Sequence, residues 1–337
     1  MSRNVKKPTV QDVLRLAAIA KHLKIKSRFE DPTFAADVRA ACLAQITPTL
    51  KQHGPFTGED IAQCLGDELC LTFEEVHGPH DVTKLEDHYL KGKKEIGFAQ
   101  LRDELDNPGT DALLFERMHA EPGAPDTWVA VLNLQEGRSK AYWNKFHELS
   151  HRIAEPPQQI LPFKRHQFEA GNPVESLVDS VASDFAFYEP IFCPLVETYA
   201  KTCPLNFETI EQIRNQYAPT ASLLCTMKAV VKYWPRPAAS LTAEFRGRRN
   251  SPRTDCALRV SPQGYNERAN RIGLLIYPNM RAPIGSPIHQ AYLSKEDQNS
   301  LENLRNWETS SGDSLADIDV LTSARCINER VYAVLSA

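Results

Sequence analysis

Phe146-His147-Glu148-Leu149-Ser150-His151 decides how the rest of this chain is read. Two histidines four residues apart share one face of a helix, one turn from each other, so both imidazoles can reach a single ion. The glutamate beside the first histidine points toward the ion's open side, where a carboxylate can take a proton from water. Zinc suits the pattern because it accepts imidazole nitrogen and carboxylate oxygen in a tetrahedral shell with one position left open. Coincidence on a solvated helix is the competing reading: with ten histidines in 337 residues, it would produce this spacing in on the order of a few chains in a hundred. The flanks oppose it. Tyr142, Trp143, Phe146, Leu149 and Ile153 lend an apolar face to a helix over 139–153, which Pro156-Pro157 stops. Trp128–Leu134, the clearest strand candidate in the chain, precedes it.

A third ligand is expected downstream. A helix expected from Val174 to Phe187, opened by Pro173, carries Glu175 and Asp179 four residues apart on one face. Glu169 and His166 in the intervening loop compete with Glu175 and rank below it; His166 adjoins Phe163-Lys164-Arg165, which reads as a basic surface loop. A lone Glu-x-x-x-Asp is ordinarily a solvated helix face. It gains weight by following H-E-x-x-H after one loop. In thermolysin-like zinc peptidases, to which the spacing is similar, such a glutamate binds zinc. The aspartate accepts a hydrogen bond from the far nitrogen of a ligand histidine.

His147–His151 and the run Glu175-Ser176-Leu177-Val178-Asp179-Ser180-Val181-Ala182-Ser183 together resemble the ImmA/IrrE family of metallo-endopeptidases. That family pairs H-E-[L/I]-[G/S]-H with E-x-x-[A/C]-[N/D]-x-[F/x]-A. Val178 stands at the small-residue position and Asp179 at the Asn/Asp position. The chain departs from the family's Leu-Leu-Met-Pro, having Phe185-Ala186-Phe187-Tyr188-Glu189-Pro190. Ile61–Gly66 with strand 69–73 is similar to the family's opening, Phe207–Val231 to its helical tail, and 81–126 reads as an insertion, so the likeness spans 57–234. The resemblance implies zinc held by His147, His151 and Glu175, Glu148 as general base, and Asp179 orienting a ligand histidine. It implies cleavage of a helix-turn-helix transcriptional repressor in response to DNA damage or phage signals, under a C-terminal sensor domain that is GAF-like in some members. In size and arrangement the chain is similar to the CapP-type members, which accompany bacterial anti-phage systems and respond to single-stranded DNA. Tyr188 and Tyr199 are candidates for stabilising an oxyanion, and Cys64, Cys70 and Cys193 for capping the metal.

Working outward, helices are expected over 9–26, 34–50, 57–65 with Thr57 as N-cap, 81–105, 207–217 and 221–233. Beyond Trp234-Pro235-Arg236-Pro237 the texture changes to strand candidates at 241–245, 256–260, 272–277 and 331–335, with a helix over 294–307. The expected organisation is an N-terminal helical extension (1–53), a metallopeptidase domain (54–235) and a C-terminal sensor domain (240–337). The fold class is α+β: a mostly helical zincin-like core with a small sheet, followed by a mixed α/β domain.

Composition and charge narrow the function classes. Hydrophobic residues at 42% and charged residues at 24% exclude a disordered or fibrous chain. No run of 18 apolar residues exists and Met1–Lys7 leads into no apolar core, so neither a membrane span nor a signal peptide is expected. Eight cysteines without a Cys-x-x-Cys predict reduced thiols in the cytoplasm. The net charge of −4 is uneven: +6 over 1–53, −11 over 54–239 and +1 over 240–337. Within 244–281, eight arginines, among them Arg246, Arg248, Arg249 and Arg253, face three acids, with Tyr265 and Tyr277 interleaved. Arginine with aromatics suits single-stranded nucleic acid, where guanidinium groups meet phosphates and rings stack on bases; a basic rim on an ordinary domain is the competing reading. The alternative to a protease is a DNA- or ligand-responsive regulatory protein with a structural or latent zinc site. Glu148 favours catalysis, since a structural site has no use for a base.

Overall fold

Local capping signals place the helices around the H-E-x-x-H segment in a computed structural model that describes residues 8–54, 56–107, 110–121, 123–135, 141–156, 163–166, 172–247, 256–309 and 312–337. Thr57 and Asp60 form the expected reciprocal capping box on α3 (Gly58–Glu68). Thr9 and Asp12 do the same for α1 (Val10–His22). α2 (Phe34–His53) ends at Gly54, whose φ of 58° is left-handed. Asn172 caps α7 (Pro173–Ala186), accepting from the N–H groups of Val174 and Glu175. The H-E-x-x-H segment lies in α6 (Ala141–Ala154), and the architecture is α+β as expected.

The chain falls into two compact units, 1–189 and 190–337. In the first, a four-stranded sheet runs in the order β1 (Leu71–Val76), β3 (Trp128–Asn133), β2 (Thr110–Glu116), β4 (Phe163–His166). β1 and β3 are parallel and the other pairs antiparallel. β2, within the stretch 81–126, forms an interior strand of this sheet. Thr110 to Phe115 are all buried, so the strand lacks the polar alternation that marks a half-exposed one.

The rest of that segment is α4 (Pro79–Glu86), a π-turn over Asp87–Gly92, a 3-10 turn over Ile96–Gln100 and α5 (Leu101–Leu105). Val82, Leu85, Tyr89, Phe98, Leu101 and Leu105 join Leu113, Phe115, Val129 and Val131 in one buried cluster. Tyr89, Phe98 and Phe115 stack in series at 4.4 Å between ring centroids. The alternate residues Ala112, Leu114, Ala130 and Leu132 are also buried, on the other face, where α6 packs. The sheet is therefore a middle layer, and α6 is held with Phe146 and Leu149 at 0% exposure.

The N-terminal helices belong to the same unit. Leu16 and Ile19 of α1 and Val38, Cys42, Ile46 and Leu50 of α2 are buried. Arg39 of α2 grips Asp184 of α7 through Nε and Nη2, at 2.5 and 2.9 Å. Tyr142 of α6 donates its hydroxyl to the Ala186 carbonyl of α7. The ring comes so close to α3 that a Cβ on Gly58 would meet the Tyr142 oxygen at 2.0 Å. Glycine at 58 thus permits the contact between these elements.

In the second unit three helices, α8 (Glu189–Thr202), α9 (Phe207–Tyr217) and α10 (Leu223–Tyr233), accompany an antiparallel sheet. Its order is β6 (Cys256–Tyr265), β5 (Ala238–Gly247), β9 (Arg330–Ser336), β8 (Asp319–Ile327), β7 (Gln298–Asn303). The expected division at 235–240 therefore moves to the start of α8, because α9 and α10 pack on this sheet. Phe207 donates its N–H to Ser323 Oγ, and Arg325 of β8 reaches Glu211 of α9 at 2.7 Å. Pro235 and Pro237 mark a corner. There Asn266 donates to the carbonyls of Trp234 and Arg236 and accepts from the N–H of Ala238.

Two further expectations fail in this unit. Instead of a strand over 272–277, α11 (Glu267–Ile272) ends at Gly273, whose φ of 75° closes it. Instead of a helix over 294–307, α12 (Pro287–Ser294) stops at Lys295 in the left-handed region and β7 follows.

Candidate metal centre

The two imidazoles converge because α6 is helical and buried on that face. His147 and His151 are each 1% exposed, and their Nε2 atoms approach to 3.0 Å. α7 crosses beside α6 and contributes Glu175, whose Oε2 lies 3.2 Å from His147 Nε2 and 3.4 Å from His151 Nε2. Oε2 is buried and has no hydrogen-bond partner of good geometry. Among the described residues, His147, His151 and Glu175 form the group whose ligand atoms could hold a metal, all within 4.8 Å of one another.

The triangle fits zinc on geometry. Ligands about 2.0–2.1 Å from a tetrahedral ion stand ~3.3 Å apart, and the edges here are 3.0, 3.2 and 3.4 Å. The opposite ring nitrogens fit it too. His147 Nδ1 lies 2.9 Å from Asp179 Oδ1, and His151 Nδ1 lies 2.7 Å from Glu155 Oε1. An imidazole that donates its Nδ1–H to a carboxylate keeps its Nε2 lone pair for an ion. Both rings face the same point in that tautomer.

The electrostatics call for a cation. Burial opposes charge on His151, but the carboxylates of Glu175 and Glu155 overcome it and raise its pKa to about 10. Burial likewise opposes charge on Glu175, yet His151 and His147 hold its carboxyl far below the usual range. Glu148, the residue expected as general base, is 1% exposed with both carboxylate oxygens buried.

The structure thus brings together His147, His151, Glu175 and Asp179, with Glu148 buried on the same helix as the two histidines. It adds two residues. Glu155 supports His151 as Asp179 supports His147, and Arg15 of α1 holds Glu155 through Nη2 at 2.8 Å and Nε at 3.2 Å. Glu155 was legible in principle, since His151 and Glu155 are an i,i+4 pair, but Pro156 makes it read as a helix end. Arg15 lies 140 residues from its partner and carries no local signal.

The remaining candidates scatter. Glu169 lies outside the described residues, and His166 is placed only through the backbone of β4. Tyr188 is buried with its hydroxyl 3.4 Å from Thr47 Oγ1. Tyr199 lies in the second unit and donates to Gln216. Cys64, Cys70 and Cys193 are half-buried cysteines outside any disulfide. Arg248, Arg249 and Arg253 lie outside the described residues. Arg246 is half-buried and donates from Nη2 to Ser261 Oγ and Asn279 Oδ1, both at 2.9 Å. Arg259, counted in the same cluster, is only 5% exposed and donates to the Asn279 carbonyl, so burial removes it from any basic surface.

No family model matches the chain, and no curated protein matches it. Among solved structures, it is similar to a Mycobacterium tuberculosis transcriptional regulator at 12% identity, over 89% of this chain and 87% of that one, with a TM-score of 0.43. A likeness so distant carries no argument. Among the described residues, no helix is long and apolar enough to cross a membrane.

Proposed function

We propose that this chain is a zinc-dependent endopeptidase of the ImmA/IrrE type, with His147, His151 and Glu175 as ligands. The observation that carries the reading is the ligand triangle with edges of 3.0, 3.2 and 3.4 Å, both imidazoles oriented by carboxylates behind them. When bound, zinc supplies Lewis acidity that polarises a scissile carbonyl and acidifies water. Glu148 takes the proton from the attacking water and passes it to the leaving amine. Asp179 and Glu155 hold the imidazoles in the ligating tautomer, and burial keeps bulk water from Glu155.

The substrate class is a helix-turn-helix repressor, and single-stranded DNA is the activating ligand. The first follows from the resemblance of the H-E-x-x-H and Glu-x-x-x-Asp runs, the second from the similarity to CapP-type members in size and arrangement. The second unit, with its antiparallel sheet in the order β6-β5-β9-β8-β7, is read as the GAF-like sensor. The experiment is metal analysis with cleavage of a helix-turn-helix protein by wild type and Glu148→Gln, with and without a short single-stranded oligonucleotide. Wild type should hold about one zinc per chain. Glu148→Gln should keep the zinc and lose cleavage, because the base is removed while the ligands stay. Cleavage retained by Glu148→Gln overturns the mechanism. A wild type that binds zinc, binds the oligonucleotide and cleaves nothing turns the reading to a regulatory protein with a latent site.

A further inference from the structure

The N-terminal helix α1 sends Arg15 to the back of the metal triangle. Its guanidinium grips Glu155 in a two-point contact, Nη2 to Oε1 at 2.8 Å and Nε to Oε2 at 3.2 Å. The same Oε1 meets His151 Nδ1 at 2.7 Å. Nη2 also stands 3.7 Å from Glu175 Oε1, the oxygen turned away from the two histidines' shared point. One cation from α1 therefore touches the support of one ligand and the far side of another.

The buried carboxylate explains why such a contact is needed. The Glu155 side chain is 1% exposed. Burial takes water away from its oxygens, and the Arg15 fork and His151 Nδ1 stand in its place. Without the guanidinium, the buried Glu155 side chain would lose the fork that fixes it and keep its contact with His151. Its carboxylate would then be able to rotate, and with it the His151 ring that it orients. Arginine suits the task because its planar fork fixes both carboxylate oxygens at once, which a lysine cannot do.

We propose that Arg15 is a positioning residue for the metal centre, acting through Glu155 to fix His151, so that α1 is part of the site and not an appendage. The inference rests on the metal reading above, and its test is zinc affinity by chelator competition, with no substrate involved. Arg15→Gln should bind zinc ~10–100-fold more weakly, as losses behind a ligand histidine do. Arg15→Lys should recover part of that loss by restoring the charge without the fork.

A double-mutant cycle separates this relay from simple loosening of α1. Arg15→Gln added to Glu155→Gln should change affinity by no more than about twofold, because the residue Arg15 acts through has already lost its charge. Added to Asp179→Asn, which works on the other histidine, its effect should multiply in full. Arg15→Gln with wild-type affinity overturns the proposal, and so does a loss that multiplies equally in both backgrounds. Thermal melts of the same variants accompany the titrations. If Arg15→Gln fails to fold, Arg15→Lys carries the cycle under the same criteria. Zinc affinity that survives His147→Ala would sink the metal reading itself; affinity lost in His147→Ala but untouched in Arg15→Gln sinks only the role of Arg15.

Discussion

Arginines compared across the two units differ in use according to the partner each one meets. In the first, Arg15 and Arg39 turn inward and each closes on a carboxylate with both prongs, Glu155 behind the metal triangle and Asp184 on α7. In the second, Arg246 rests on the neutral oxygens of Ser261 and Asn279 at 2.9 Å. A guanidinium forked to a carboxylate is neutralised and serves geometry, whereas one lodged on neutral acceptors keeps its charge to offer a phosphate. Arg325 shows that the partner, not the unit, decides: it closes on Asp297 and Glu211 and joins β8 to α9. Counting arginines along the sequence treats all of these alike.

The largest expected effect breaks the comparison at its centre. His147→Ala or His151→Ala should reduce metal content from about one zinc per chain to none, measured by elemental analysis after dialysis. Full occupancy in either variant would leave the inward-facing charges of the first unit without their proposed purpose. Affinity should also fall on acidification, since both imidazoles must be unprotonated to ligate.

The two supports behind the histidines are unequal, which sharpens the point. Asp179 is 47% exposed, whereas Glu155 is 1% exposed. Asp179→Ala should weaken zinc by ~10-fold, the low end for such residues, because water replaces the lost carboxylate. Chelator competition checks it, and a loss greater than that of Glu155→Gln would reverse the assigned ranking.

Arg39→Met tests the inward arginine that does not reach the metal. It leaves the Asp184 carboxylate, only 7% exposed, without its fork. Urea unfolding should show about 1–3 kcal/mol lost, discounted because Arg39 is itself 38% exposed. Zinc affinity of the folded variant should stay within about twofold of wild type.

The smallest effect is expected from Arg246→Ala. If Arg246 meets a phosphate, the slope of log K against log salt for a single-stranded oligonucleotide should fall by ~0.7. An unchanged slope would remove Arg246 from the nucleic-acid surface and leave that role to other residues.

Legibility followed the range of the interaction. H-E-x-x-H, Glu-x-x-x-Asp and the Thr57–Asp60 box are contacts within one or two helical turns, and each appears in place. β2 escaped notice because an interior strand shows no alternation. β7 escaped because, as an edge strand, it has no buried residue to mark a face. α8 was hidden by Pro190 and Pro194, the latter inside the helix.

Sequence by itself determined the chemistry that one helix can hold: two imidazoles and a carboxylate on adjacent turns, with an acidic pair on the next helix. The 3.6-residue period alone sets those distances. Only the tertiary structure decided that Glu175 Oε2 closes the triangle, that Glu155 stands behind His151, and that Arg15 holds Glu155 from 140 residues away. It likewise decided that Arg259 is core and Arg246 is half-buried. These outcomes depend on which elements pack together, and packing is settled by the burial of apolar faces over the whole unit, which no local spacing encodes.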